Sequence, residues 1–186
     1  MKKLTLTIFI LSLFLIFSSN SQSNNDAIRY LKEGNKIIFI RHALAPGRGD
    51  PPGFKIDDCK TQRNLDQIGV NQSKKIGIIF RENEIKIDQV LSSQWCRCKD
   101  TARYAFKNFE EFPALNSTFS PPYDKKEKKQ IKELKNFVQN WSGKGGNLVL
   151  VTHYVVITAV TSVAPSSGEM VITDKNFNVL TTINTF

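Results

Sequence analysis

Three short apolar runs rich in β-branched residues constrain the fold of this chain most strongly. They lie at Lys36–Ile40, Gln89–Ser92 and Leu148–Thr152, and such runs are typical of strands buried on both faces. The segments between them place apolar residues at helical spacing. Strands that alternate with helices predict a parallel sheet joined by right-handed crossovers. We therefore expect the α/β class, as a three-layer α/β/α sandwich around a mostly parallel central sheet.

Three helices are expected between these strands. Periodic apolar residues predict them at Leu65–Arg81, near Arg97–Asn108 and at Lys125–Trp141. Asp124 and Glu127, at the start of the third, resemble a capping box. Lysine residues cover the other faces of that helix. This charge run is typical of a solvated face, and contact with an anionic surface is the alternative.

The end of the chain departs from this alternation. Two runs, Glu169–Thr173 and Asn178–Ile183, flank a polar turn and predict a C-terminal hairpin. The segment 43–64 carries closely spaced glycines and prolines, so it is expected to form a long loop, and such loops are often functional. The length of 186 residues fits one domain.

The first 21 residues have the pattern of a signal peptide. Met1-Lys2-Lys3 precedes an apolar stretch at 4–17 and a small polar run at 18–21. The apolar stretch is shorter than the roughly 20 residues that span a bilayer, which makes an uncleaved anchor the weaker interpretation. We expect 1–21 to be removed and 22–186 to form a single domain. The product would be periplasmic or secreted, with no stable membrane insertion after cleavage.

Export places the three cysteines in an oxidising compartment, where a disulfide persists. We expect Cys59 to pair with either Cys96 or Cys98. The spacing of Cys96 and Cys98 differs from a redox C-x-x-C pair, and a zinc site would need further ligands. Two histidines without an acidic cluster are also a poor ligand set. No metal or cofactor is therefore expected.

The charge balance indicates an anionic partner. The chain has 26 Lys and Arg against 17 Asp and Glu, a net charge of +9, and loss of Lys2 and Lys3 with the leader leaves the excess positive. Phosphate esters, nucleic acid and acidic membranes all fit such a surface. The sequence shows no nucleic-acid motif or aromatic platform, so nucleic acid is not expected as a partner.

Both histidines of the chain directly follow predicted strands. Arg41 and His42 end the first strand, His153 ends the third, and Arg97 lies just beyond the second. The carboxyl ends of parallel strands share one edge, and ligands bind beyond that edge. Guanidinium groups match phosphate oxygens, and a neutral imidazole is a competent nucleophile. These residues together predict a site for a phosphoryl group.

The same residues resemble the histidine phosphatase superfamily, which has the phosphoglycerate mutase-like fold. Its Arg-His-Gly signature is present here as Arg41-His42-Ala43, with Ala in place of Gly. Its Ser-Ser-x-x-x-Arg-x-x-x-Thr-Ala segment is present at 92–102, and its late Thr-His as Thr152-His153. The resemblance covers about 36–170. It implies hydrolysis of a phosphate ester through a phosphohistidine intermediate on His42.

The resemblance also implies individual roles. Arg41, Arg97 and His153 would hold the phosphoryl oxygens while His42 attacks phosphorus. Arg63 resembles a substrate contact beside this pocket, and an exposed loop arginine is the alternative. Ala43 would be strained if the backbone there required the conformational freedom of glycine.

The proton donor to the leaving group is not obvious from the sequence. The candidates are Glu169, Asp58 and Glu111, and Glu110, Asp50, Asp57 and Asp124 are also weighed. Without a donor, esters whose leaving groups have a low pKa would react well and simple alkyl phosphates poorly.

The leading functional hypothesis is an exported, metal-independent phosphomonoesterase that acts on a small or envelope-attached phosphate ester. The alternative is a catalytically weak or inactive protein that binds phosphorylated glycans or lipid headgroups. The unclear acid and Ala43 keep this alternative open.

Overall fold

A computed structural model describes residues 25–186, and the predicted signal peptide at 1–21 lies outside them. Six strands form one sheet in the order β3-β2-β4-β1-β5-β6. The first four of these are parallel, while β5 runs antiparallel to β1 and pairs with β6 as a hairpin. The strands are β1 Ile37–Arg41, β2 Ile87–Ser92, β3 Glu110–Glu111, β4 Asn147–Thr152, β5 Met170–Thr173 and β6 Val179–Ile183.

Five helices cover the two faces of the sheet. They are α1 at 25–33, α2 Gln67–Glu82, α3 Cys96–Phe106, α4 Glu127–Asn140 and α5 Tyr154–Thr161. Alternate residues of the central strands face opposite layers: Ile38 and Val149 pack with α1, α2 and α3. Phe39 and Leu150 pack with α4 and α5. The fold is the expected three-layer α/β/α sandwich with a mostly parallel sheet and a C-terminal hairpin.

Some elements differ from the sequence predictions. The sequence did not predict α1, α5 or the two-residue strand β3. The capping box expected from Asp124 and Glu127 does not form, because a 3₁₀ turn occupies Asp124–Lys126. The Asp124 carboxylate accepts from the neighbouring Lys125 amide at 2.9 Å, and the N-cap position of α4 is Lys126, without a side-chain cap.

The register of the sheet brings the ends of three strands together. Arg41, the last residue of β1, pairs with Thr152, the last residue of β4, and Ser92 of β2 pairs with Val151. The hairpin reaches the same edge, where the Gly168 amide donates to the carbonyl oxygens of Arg41 and His42. Residues that follow β1, β2 and β4 therefore surround one crevice.

A disulfide joins the long loop to this edge. Cys59 and Cys96 are bonded, and Cys98 is a buried free thiol. Of the two pairings that the sequence left open, the structure has the one between the loop and the first residue of α3. In the described part of the chain, no helix is long and apolar enough to cross a membrane.

Candidate active site

The crevice at the carboxyl edge of the sheet forms a pocket of about 360 Å³. Arg41 and His42 enter it from the end of β1, Arg97 from the first turn of α3, and His153 from the residue before α5. Arg63 lines it from the long loop. The structure therefore brings together all five side chains for which the sequence indicated a catalytic or substrate-binding role.

His42 is held as a neutral imidazole with a defined tautomer. Its side chain is almost fully buried, and Nδ1 lies 2.8 Å from the carbonyl oxygen of Ala43. A carbonyl only accepts, so Nδ1 carries the proton and Nε2 keeps its lone pair. Burial and the positive charge of Arg97 hold the pKa of His42 well below its usual value. Nε2 is therefore a nucleophile at neutral pH.

Ala43 occupies its position without backbone strain. It is fully buried, and its φ lies outside the left-handed region. Its amide donates to Thr101 Oγ1 at 3.0 Å, which fixes the turn that leaves β1. An alanine in place of the signature glycine is therefore compatible with this geometry.

His153 lies beside His42, with ring centroids 5.4 Å apart. Its Nε2 lies 3.0 Å from Ser93 Oγ and 3.4 Å from Cys98 Sγ. Burial, with Arg97 and His42 as further contributors, holds the pKa of His153 well below its usual value. Burial also raises the pKa of the Cys98 thiol to about 12. The thiol stays protonated and is able to donate to Nε2.

Arg97 forms a buried two-point ion pair with Asp50. Its Nη1 and Nη2 donate to the two carboxylate oxygens at 2.7 and 3.2 Å. Trp95 Nε1 and the Arg63 amide donate to the same carboxylate at 3.0 and 3.1 Å. Burial alone would raise the pKa of Asp50, but the bonds from Arg97 outweigh it and lower that pKa. Asp50 is therefore an anion that positions Arg97.

Two guanidinium donors remain available for a ligand. The Nε atoms of Arg41 and Arg97 are buried and have no hydrogen-bond partner among residues 25–186. Arg41 Nη1 donates to the Pro165 carbonyl at 2.8 Å, which fixes the side chain. An unpaired charged donor is costly in a buried site, so this arrangement favours an anion that accepts from both arginines.

Arg63 has mainly a structural role in this pocket. Its Nε donates to the Gly49 carbonyl at 2.7 Å, and its Nη1 donates to the Ala45 carbonyl. These bonds fold the loop back over the site. The guanidinium still adds positive charge, since it is among the groups that lower the pKa of His42.

The three acids favoured by the sequence lie elsewhere. Glu169 accepts from the Ser166 amide at 2.8 Å, Asp58 caps a 3₁₀ turn by accepting from the Lys60 amide, and Glu111 pairs with Lys99 at 3.1 Å. None of them lines the pocket. Asp50 is the only carboxylate that does so within the described range. The sequence did not identify it as an arginine partner, because only the folded loop brings it to α3.

Aromatic residues, which the sequence reading did not single out, form much of the pocket wall. Phe54, Trp95 and Tyr123 are in mutual contact with ring centroids 4.9–5.9 Å apart. Phe119 and Tyr154 form a second pair at 6.0 Å. A signal was present in the segments Pro51-Pro52-Gly53-Phe54 and Phe119-Ser120-Pro121-Pro122-Tyr123, because aromatics within proline-rich loops pack at low entropic cost.

No cluster of three or more metal-ligating side chains occurs in the part of the chain that the structure covers. The charge in the pocket comes instead from arginine. Four arginines, with Arg48 at the mouth, line it against the single carboxylate of Asp50. A doubly charged phosphoryl group fits this excess.

No protein-family model and no curated protein sequence matches the chain. Solved structures do match. The protein histidine phosphatase SixA, solved with tungstate, superposes with a TM-score of 0.56 at 12% identity, over 81% of this chain and 97% of that one. TTHB049 from Thermus thermophilus gives 0.56 at 17% identity, over 80% and 99%.

A third structure, from Escherichia coli K-12, is described as a candidate alpha-ribazole-5'-P phosphatase. It gives a TM-score of 0.58 at 13% identity, over 82% of this chain and 97% of that one. Identities this low establish similarity of fold. The chain therefore has the phosphoglycerate mutase-like fold that the histidine phosphatases share.

Proposed function

We propose that the chain is a metal-independent phosphomonoesterase that uses His42 as its nucleophile. The observation that carries the proposal is the neutral His42 imidazole, with Nε2 unprotonated, in one pocket with two buried arginine Nε donors that lack partners among the described residues. A nucleophile next to donors for an oxyanion is the arrangement that phosphoryl transfer requires.

In the first step His42 Nε2 attacks phosphorus and the bond from phosphorus to the ester oxygen breaks. The bonding electrons leave with that oxygen, which takes a proton from solvent. Arg41 and Arg97 stabilise the charge on the remaining phosphoryl oxygens. The Nδ1 proton stays in its bond to the Ala43 carbonyl and keeps the ring oriented.

In the second step water attacks phosphorus, the bond between phosphorus and Nε2 breaks, and inorganic phosphate leaves with His42 again neutral. His153 supports both steps through its position beside His42. With Nε2 accepting from the Cys98 thiol, the His153 proton is on Nδ1, where it is a donor for a phosphoryl oxygen.

The experiment is turnover of acetyl phosphate, which carries no ring and has a good leaving group. Purified protein should release phosphate in buffer that contains a metal chelator. His42→Ala should reduce the rate to background, while Tyr104→Ala, an exposed aromatic residue on α3 away from the pocket, should retain it. Turnover by His42→Ala, or no turnover by the unaltered protein, would refute the phosphatase proposal.

A second candidate function is binding without turnover. Asp50 already satisfies both Nη groups of Arg97, and this favours a site that holds phosphorylated glycans or lipid headgroups. Calorimetry with inorganic phosphate separates the two functions. Tight phosphate binding in a protein that does not hydrolyse acetyl phosphate would favour the binding function.

Export to the periplasm or exterior is part of the proposal, with a small or envelope-attached phosphate ester as substrate. Its supports are the leader pattern at 1–21 and the disulfide between Cys59 and Cys96, since such bonds persist mainly in oxidising compartments.

A further inference from the structure

The outer part of the pocket is an aromatic rim made of Tyr154 and Phe119. Both side chains line the pocket, yet both are 36% exposed. Large aromatic groups left open to solvent inside a pocket are typical of ligand sites. The rim therefore offers flat apolar surface to whatever is attached to the phosphoryl group.

The rim continues directly from the phosphoryl site. The Arg41 guanidinium lies 5.3 Å from the Tyr154 ring centroid, Tyr154 lies 6.0 Å from Phe119, and Arg48 lies 5.6 Å from Phe119. The series thus leads outward from the arginine that would hold the phosphoryl oxygens. A group bonded to the ester oxygen would meet Tyr154 first and Phe119 next.

The same pocket offers no carboxylic acid to protonate a leaving group. Asp50, the single carboxylate lining it within 25–186, is bonded to Arg97 and Trp95 as an anion. Proton donation typically contributes about 100-fold or more to a rate. A phenol, with a pKa of about 10 in tyrosine, leaves as its anion far more readily than an aliphatic alcohol does.

From these two observations we propose that the substrates are phosphate esters of phenols, with the phenolic ring packed on Phe119 and Tyr154. The inference rests on the proposed phosphatase function. His42 takes the phosphoryl group, the phenolate departs with the bonding electrons, and solvent protonates it. Ring packing and the good leaving group together replace the missing acid.

The test compares four substrates of the purified protein: phenyl phosphate, a phosphotyrosine peptide, the matching phosphoserine peptide, and acetyl phosphate. We expect kcat/KM for the two phenolic esters to exceed that for the phosphoserine peptide by about 100-fold or more. Preference between phenyl phosphate and the phosphotyrosine peptide tells whether the natural ester is a small molecule or part of a polypeptide.

Phe119→Ala should lower the ratio of kcat/KM for phenyl phosphate over acetyl phosphate by about tenfold, while the matched surface variant Tyr104→Ala keeps that ratio. Equal turnover of the serine and tyrosine peptides would overturn the inference. So would loss of phosphoserine turnover in Tyr154→Phe, which would make the Tyr154 hydroxyl the proton donor. Acetyl phosphate turnover with no phenolic preference refutes this inference alone, whereas absent turnover of acetyl phosphate refutes the phosphatase itself.

Discussion

At the scale of single residues, the site depends on two imidazoles kept neutral by burial among cations. His42 and His153 are 3% and 2% exposed, and Arg97 is the leading charge that disfavours protonation of either ring. Protonation would remove the lone pair of His42 and add charge to a site that already carries excess positive charge. The arrangement secures the nucleophile at a cost in stability at low pH.

The stability of the protein should therefore fall as the solution is acidified. In the unfolded chain both histidines take up protons as the pH falls through about 6.5. In the native state their pKa values lie well below that, so the free energy of unfolding falls with decreasing pH below about 6.5. Each histidine contributes up to about 1.4 kcal/mol per pH unit.

Urea unfolding between about pH 7 and pH 5 measures this slope. His42→Asn keeps a donor for the Ala43 carbonyl but removes one titrating group, so its slope should be about half as steep. A slope that is the same in both proteins would contradict a depressed pKa at His42.

Asp50 should limit the affinity of the site for phosphate while it stabilises the fold. Asp50→Asn removes the negative charge next to Arg97 and should tighten binding of inorganic phosphate several-fold. The same change weakens the charge-assisted bonds from Arg97 and Trp95, and should lower the free energy of unfolding by about 1–3 kcal/mol. Calorimetry and urea unfolding test the two effects, and weaker phosphate binding would contradict the first.

At the scale of elements, the long loop between β1 and α2 depends on its anchorage to α3. The disulfide joins residues 37 positions apart in the chain, and Arg97 directly follows Cys96. Gln62 Oε1 also accepts from the Cys96 amide at 3.0 Å. The loop delivers Asp50 and Arg63 to the pocket, so its anchorage and the position of Arg97 are coupled.

Loss of the disulfide should reduce both stability and activity. The double variant Cys59→Ser with Cys96→Ser should lower the free energy of unfolding by about 2–4 kcal/mol, as expected for a loop of this length. It should also raise KM for acetyl phosphate, because Asp50 and Arg97 lose their fixed relation. Unchanged stability and KM would show that the loop does not need the bond.

Thiol counting by mass spectrometry checks the pairing itself. The native protein should take up no alkylating agent, because Cys98 is buried with its pKa raised to about 12. One label is expected after unfolding without reductant, and three after reduction. Three labels without reductant would contradict the disulfide.

The elements that the sequence predicted well are those with a strong apolar period. The apolar runs ending at Ile40 and Thr152 are central strands, and the fold class is confirmed. Helix α5, Tyr154–Thr161, was not predicted because its sequence YVVITAVT is apolar and β-branched throughout, a composition that favours strands when considered locally. Its position after His153, against the core beneath β4, determines its helical form.

At the scale of the whole molecule, the positive charge has two separate roles. The lysines of the basic helix α4 are exposed, and the arginines concentrate in the pocket. Strand order predicted that Arg41, His42 and His153 would meet. Asp50 and the aromatic rim could not be predicted in the same way, because irregular loops carry them and loop conformation has no simple periodic signal in sequence.

The leader should be removed on export. Expressed with its own N-terminus in a bacterial host, the protein is expected in the periplasmic fraction with a mass that lacks residues 1–21. Ile10→Arg, which breaks the apolar stretch at 4–17, should retain the full-length chain in the cytoplasm. Full-length unaltered protein found in the cytoplasm would contradict export.

The central claim is that His42 becomes phosphorylated, and trapping that intermediate tests it most directly. Protein mixed with radiolabelled acetyl phosphate and quenched in alkali within a single turnover should carry label that is stable to alkali and lost in acid. Mass spectrometry should place it on His42, and His42→Ala should carry none. Label on any other residue, or a turning-over enzyme that never becomes labelled, would contradict the account.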